Sequence, residues 1–470
     1  MSIQRAFCCE ILEFRLTAMN QVDEAIARYH RILETEPFGD LSWVERFHAS
    51  LRARKLELGD RPISPFLRPH LLTREQYDGL VKGGQLLAGA VDQVRKMAME
   101  SPALMARMDL LPAERMLAAV NPGYKHFAVT GLLDTALTDG YMRFSDYSAE
   151  TPVGVLYGEV LAEELYETGP VREFRKGAKL TKLGGVKQLQ AALLKAFKEF
   201  GGTHVPQVAI LEMRHPFETL ESREYHLLAE NFSAHGLPTV IASPEQLEYR
   251  NGVVRKGDFV IDLVYRRLKT REFVVHFDPN QHALVRAYRE GKVCVVNSFR
   301  SDMAQKKAIF DLLTDPAVLA HFPAADRAAI RSLVPTTRVV SERMVAWDGE
   351  EEVDLPAFIT ANRERLALRP NDDTEEMQTF VGAAMDQAGW ERAVRTALRS
   401  PYVVQENVKP PSAKFPVYSY GSLDMKEMRV EVHPHVYMGK VQSASSWLTP
   451  AAGTFSTVTG ITPTYLLETK

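Results

Sequence analysis

Between residues 186 and 265 the hydrophobic period switches repeatedly, and that switching restricts the fold more than any other feature of the chain. Val186, Leu189, Leu193, Phe197 and Phe200 recur at helical spacing, and Gly201-Gly202 ends the run. A strand signal follows at Val208–Glu212, then a helix over about 221–234, then strand signals at Thr239–Ala242 and Phe259–Val264. Strands alternating with helices predict an α/β unit with a mostly parallel sheet, because parallel neighbours need a crossover and a helix usually supplies it. Ligands of such sheets bind beyond the carboxyl ends of the strands. The last of these strands leads into Asp262, Tyr265, Arg266 and Arg267. Paired arginines there either grip a carboxylate or phosphate with both nitrogens or form an ion pair with Asp262. No GxGxxG follows the strands, which weighs against a dinucleotide.

The flanking segments read differently. Residues 1–120 carry apolar residues at helical spacing, as in Val22, Ile26, Tyr29 and Leu33, and are crossed by the three prolines of Leu58–Pro69. Phe127–Thr130 and Tyr141–Phe144 are strand signals joined through the turn Thr138-Asp139-Gly140. The second runs into Asp146–Gly154, where Asp146 and Glu150 either hold a metal or an amine or lie on a solvated loop. A buried strand at Val293–Val296 delivers Asn297, Ser298, Arg300 and Ser301 to a helix start followed by Lys306 and Lys307. That span is a candidate anion site, set against a solvated helix face.

Leu366–Gly382 reads as strand, Pro-Asn-Asp-Asp loop and strand, with Arg369 at the end of the first strand. Phosphates are expected there, although no glycine between Asn371 and Val381 lets the backbone wrap one closely. Met385–Leu398 is helical, Pro401–Val408 is a strand, and short strands fill the chain from Met428 onward. His433 and His435 fall on one face of such a strand, as metal ligands or as a surface pair.

A chain of 470 residues exceeds one ordinary core, so two or three units are expected. The formal charge of -3, from 57 basic and 60 acidic residues, leaves no global field to attract nucleic acid or an anionic membrane, so any anion site is local. Three cysteines, two of them adjacent, form neither a disulfide framework nor a zinc spacing, and a cytoplasmic setting is expected. Neither a secretory leader nor an apolar stretch of membrane-spanning length is expected.

Six segments occur in an order that carries more weight than any one of them: Gly59–Pro62, Asp146–Gly154, Ile261–Arg267, Val296–Ser301 with Lys306–Ala308, Leu368–Asp373, and Tyr402–Glu406. In this order the sequence resembles the circularly permuted ATP-grasp proteins, a family related to the carboxylate–amine ligase part of glutathionylspermidine synthase. The resemblance implies an α/β fold in four parts. These are a helical region (1–120), a strand-rich part of the ATP-grasp core (121–180), a parallel α/β subdomain (181–290), and a nucleotide-binding and C-terminal strand region (291–470). It also implies ATP and Mg2+, and a small-molecule carboxylate joined to an amine or peptide through an acyl phosphate. A paralogous protein partner is a further implied option.

Carried over by position, Lys307, Arg369 and Asn371 would serve the phosphates and Gln405, Glu406 and Val408 the adenine. Glu431, Asp146 and Glu150 would serve the metal, and Arg266, Arg267 and Arg300 the acid substrate. Arg369 stands where the family usually has Lys, Thr374-Glu375-Glu376 where it has Tyr-Gly-Gly, and Trp447 and Thr454 where it has Arg and Asn. These departures raise the alternative of an inactive ATP-grasp protein that binds a ligand or partner without catalysis.

Overall fold

The computed structural model describes residues 21–59, 61–138, 140–214, 219–348, 352–372, 377–419, 421–451 and 458–468. The 186–265 alternation folds as a parallel sheet. Strands Cys294–Val296, Leu263–Arg266, Val208–Leu211 and Thr239–Ala242 lie side by side in that order, all parallel. Alternate residues serve opposite faces. Val208, Ile210, Leu263 and Tyr265 meet the helix residues Leu189, Leu193, Phe197 and Phe232, while Ala209, Leu211 and Val264 meet Phe273, Leu284, Val285 and Tyr288. Burial on both faces explains why these strands are continuously apolar. The expected strand Phe259–Val264 divides. Phe259–Ile261 ends an antiparallel meander with Val253–Lys256 and Glu248–Arg250, and only Leu263–Arg266 enters the parallel sheet. Asp262 sits at the break, its carboxylate accepting the Gln207 N–H at 2.8 Å.

A second, antiparallel sheet runs Gly460–Thr462, Lys440–Pro450, Ser422–Tyr437, Thr130–Thr138, Tyr141–Ser148, with Ser412–Ser419 also paired to Ser422–Tyr437. The expected short tail strands are therefore long. The first begins at Ser422 rather than Met428 because its charged half, Asp424 to Glu427, forms a partly exposed ribbon with Ser412–Ser419. Helix Arg74–Glu100, started by a Thr73/Gln76 capping box, lies across this sheet. Gly83 and Gly84 permit the approach: a Cβ on Gly84 would stand 2.7 Å from Val441 Cγ2 and 3.2 Å from Leu133 Cδ1. Gly84→Val is expected to lower stability by about 1–3 kcal/mol through overpacking, measured as a lower urea midpoint at unchanged slope.

A third sheet, Thr337–Val339, Tyr402–Glu406, Leu366–Pro370 and Phe380–Val381, is antiparallel. The expected strand–loop–strand thus pairs, with Ala367 opposite Val381; Thr374, Glu375, Glu376 and Thr454 fall outside the described residues. In the N-terminal region, Trp43, Val44, Phe47 and Leu51 of helix Ser42–Ala53 pack with Tyr157, Leu161, Leu165 and Tyr465. Strand His70–Thr73 lies parallel to Thr464–Glu468, which joins the two ends of the described chain in one small sheet. Among the described residues no helix is long and apolar enough to cross a membrane.

Candidate functional site

Four sequence candidates come together where the third sheet faces the hairpin Thr130–Ser148. The Asp146 carboxylate, largely buried, is 2.6 Å from Lys307 Nζ and accepts from Arg369 Nη2 at 3.1 Å. Arg369 Nη1 donates to the Gln405 side-chain oxygen at 3.0 Å and to the Ser145 carbonyl at 2.8 Å. Gln405 Nε2 in turn donates to Thr337 Oγ1 at 3.0 Å, so the amide is held from both ends.

Local folding places these groups. Arg369 and Gln405 lie on paired antiparallel strands, two residues out of register, with Arg369 opposite Val403. Lys307 precedes helix Ala308–Leu313 and donates its backbone N–H to the Asn371 carbonyl at 3.0 Å. The Asn371 side chain accepts the Ala308 N–H at 2.9 Å and donates to the Met108 carbonyl at 3.0 Å, tying the strand end to that helix. Glu406 accepts the Thr336 N–H at 3.2 Å, and Val408 lies just past the strand end, partly exposed.

Of the arginines next in the sequence argument, Arg266 and Arg267 are enclosed and Arg300 is half-buried. Arg266 is 1% exposed and donates to Glu150 at 2.8 Å, to the carbonyls of Asn297, Leu268 and Ser298, and to the hydroxyls of Thr270 and Ser301. Glu150 also accepts the Thr270 N–H at 3.0 Å and its hydroxyl. Arg267 donates to Tyr265, Tyr225 and the Pro152 carbonyl. Arg300 donates to the carbonyls of Ala118, Ala119 and Val120 at the end of helix Pro112–Ala119. The alternative in which these arginines pair with Asp262 is not realised: the Asp262 carboxylate instead lies 3.2 Å from His204 Nε2.

Neither lysine is a solvated helix residue. Lys306 is fully buried, with Nζ 3.0 Å from Glu114, 2.7 and 2.9 Å from the two Asp372 oxygens and 3.9 Å from Asp302. Arg271 adds a second cation to Asp372 at 2.9 Å. Burial would depress the Lys306 ammonium, but Asp302, Asp372 and Glu114 outweigh it and hold its pKa above the usual value. Burial also raises Asp302 well above the carboxylate range against the pull of Lys306, and among the described residues neither Asp302 oxygen has a hydrogen-bond partner. Glu114 and Arg271 carry no motif in the sequence, and only the fold brings them to this cluster, whereas Asp302 stands four residues before Lys306.

The tail residues stand on the neighbouring sheet. Glu431 retains a side chain that is 37% exposed, its carboxyl raised first by burial, with His433 and Arg369 opposing and Asp134 reinforcing. The histidines are not a surface pair. His435 is buried, with Nε2 3.1 Å from Ser445 Oγ, and burial pushes its pKa down to about 3. His433 is 8% exposed and lies between Asp134, at 3.6 Å, and Glu431, at 3.9 Å. Asp134 was legible only as a lone charge within the apolar strand Thr130–Thr138.

No family model and no curated protein matches this sequence. Among solved structures the chain is similar to a glutathione synthetase-like effector from Globodera pallida in its apo form, at 13% identity and TM-score 0.55 over 92% of this chain and 98% of that one. A putative gamma-glutamylcysteine synthetase from Methylobacillus flagellatus aligns at 11% identity and TM-score 0.42, over 82% of this chain and 86% of that one. A RimK domain ATP-grasp protein from Sphaerobacter thermophilus aligns at 17% identity and TM-score 0.26, over 55% and 89%. At those overlaps neither bears on the reading. By distant structural similarity, then, the chain shares its overall fold with that glutathione synthetase-like effector.

Proposed function

We propose that this chain is an ATP-grasp-type protein whose chemistry is carboxylate–amine ligation, ATP activating the acid as an acyl phosphate that an amine or peptide attacks. One observation supports this above the rest: Lys307 and Arg369, from separate elements, converge on the single carboxylate of Asp146, with the Gln405 amide held against Arg369. Two cations with an amide beside them fit a phosphate group, whose oxygens would take the place of that carboxylate. In this reading Lys307 and Arg369 hold the phosphates, and Asn371 fixes the backbone between them. Gln405, Glu406 and Val408 line the base. Glu431 is the Mg2+ ligand, because Asp146 is engaged by the two cations and Glu150 by Arg266 and Thr270. Bound Mg2+ would neutralise phosphate charge. Arg266 and Arg300 donate to groups inside the chain, as does Arg267 through both Nη atoms, and so they shape the wall behind an acid substrate rather than grip it.

The same carboxylate favours a second reading, an inactive relative that binds a ligand without turnover. Asp146 already neutralises the cations, and a phosphate must displace it. Thermal melting with MgATP decides between the two. Saturation at about 100 times Kd adds roughly 2.7 kcal/mol to the folded state and raises the melting temperature. Asp146→Asn frees the cations and is expected to tighten MgATP about tenfold, read from each protein's shift relative to its own ligand-free melt. A shift confined to the variant favours the inactive reading. No shift in either protein would sink nucleotide binding altogether.

A further inference from the structure

His433 has an environment that the nucleotide reading leaves unexplained. Both of its ring nitrogens are buried and, among the described residues, neither has a hydrogen-bond partner. A buried imidazole without partners forfeits the hydrogen bonds it makes in water. Yet two carboxylates flank it. Asp134 Oδ1 is 3.6 Å and Glu431 Oε2 3.9 Å from Nε2, too far to accept its proton well and close enough to share a third body with it. Two atoms each bonded to one cation at about 2.1 Å stand roughly 3.0–3.4 Å apart at tetrahedral or octahedral angles. A few tenths of an ångström of closure therefore seats a cation on His433 and Asp134.

Glu431 approaches the same nitrogen, Nε2, and its partly exposed side chain has room to swing closer. The ring itself is fixed: it stacks on Trp447, with centroids 6.2 Å apart and planes 26° apart. A tighter group of acids, Glu114, Asp302 and Asp372, also lies in the chain, but the Lys306 ammonium fills it.

We propose that Asp134, Glu431 and His433 form a divalent transition-metal site, with the imidazole as its buried donor and water completing the coordination. This rests on the reading of Glu431 as a metal ligand and deepens it. An imidazole adds a donor that Mg2+ takes poorly and Mn2+, Fe2+ or Zn2+ takes well, so the site prefers one of these cations to the Mg2+ first assigned to Glu431.

The probe is Mn2+ added alone to the full chain without nucleotide, counted by the loss of its free electron paramagnetic resonance signal. The bound fraction is then examined by electron spin-echo modulation for imidazole nitrogen. One bound Mn2+ with nitrogen modulation is expected, not displaced by an equal concentration of Mg2+. His433→Gln should abolish the modulation and weaken binding by at least about tenfold, since losing a ligand costs no less than losing an outer-shell partner. Asp134→Asn, a change at a partly exposed side chain, should weaken binding and keep the modulation. Bound Mn2+ lacking nitrogen modulation, or held equally well by His433→Gln, would overturn the imidazole site and leave Glu431 as a ligand. No bound Mn2+ at all would overturn the site, while the nucleotide reading still stands or falls on the MgATP melts. If His433→Gln fails to fold, the modulation in the unmutated chain and the Asp134→Asn titration still decide.

Discussion

Lys306→Met is expected to cost about 3–5 kcal/mol, because it strands the carboxylates of Glu114, Asp302 and Asp372 in a buried site without their central cation. Methionine matches the length of the lysine stem, so little of the loss would come from a cavity. The pH dependence separates this cause from simple misfit. Burial raises Asp302 and Glu114 above their usual values, and Lys306 is the largest opposing pull on each. Removing it raises them further. A group with a raised folded pKa binds its proton more tightly in the folded state. Its contribution is favourable in acid and is lost as pH climbs from about 4, the unfolded carboxylate value, through the folded one. The variant should therefore lose less stability at pH 5 than at pH 8 in guanidinium unfolding. An equal loss at both would assign the effect to packing.

Arg266→Met is the second large effect, again about 3–5 kcal/mol. It leaves Glu150 buried without its cation and strips donors from three carbonyls that have little access to water. The damage should be local in origin, because Arg266 ends a parallel strand while Glu150 follows the hairpin of the second sheet. Arg266→Lys should recover only part of the loss, since one ammonium cannot reproduce a guanidinium that donates in several directions at once. The check is the chemical denaturation midpoint of the two variants side by side. Equal midpoints would mean that charge alone matters there.

These two arginine and lysine positions show what the sequence could and could not disclose. The period switches at 186–265 gave the parallel sheet, because helix and strand periodicities are local properties that neighbours in the chain express together. The Leu366–Gly382 hairpin was legible for the same reason. Arg266 was recognisable as a functional-type residue, and Lys306 as a basic one, but their partners lie at Glu150 and Glu114, more than a hundred residues away. Side-chain pairing across such separations leaves no local signature. The strand signal from Met428 onward falls short of the long strand Ser422–Tyr437 for a related reason: Asp424, Lys426 and Glu427 are charged, and their pairing partner Ser412–Ser419 leaves no local signal. Lys307, Arg369 and Gln405 were singled out individually, whereas the fact that Asp146 joins Lys307 and Arg369 is purely three-dimensional.

The small sheet in which His70–Thr73 runs beside Thr464–Glu468 has a consequence for how the protein is made. Thr464 and His70 lie 394 residues apart and are hydrogen-bonding neighbours in adjacent strands. Contacts of such sequence separation close late, since the loop between them must first be ordered. During synthesis the N-terminal helices, including the Trp43, Phe47 and Leu51 face that meets Tyr465, emerge long before their strand partner does. Tyr157, Leu161 and Leu165 can cover part of that face early, but the share taken by Tyr465 stays open until nearly the whole chain has left the ribosome, so nascent chains shortened before Thr464 are expected to expose it.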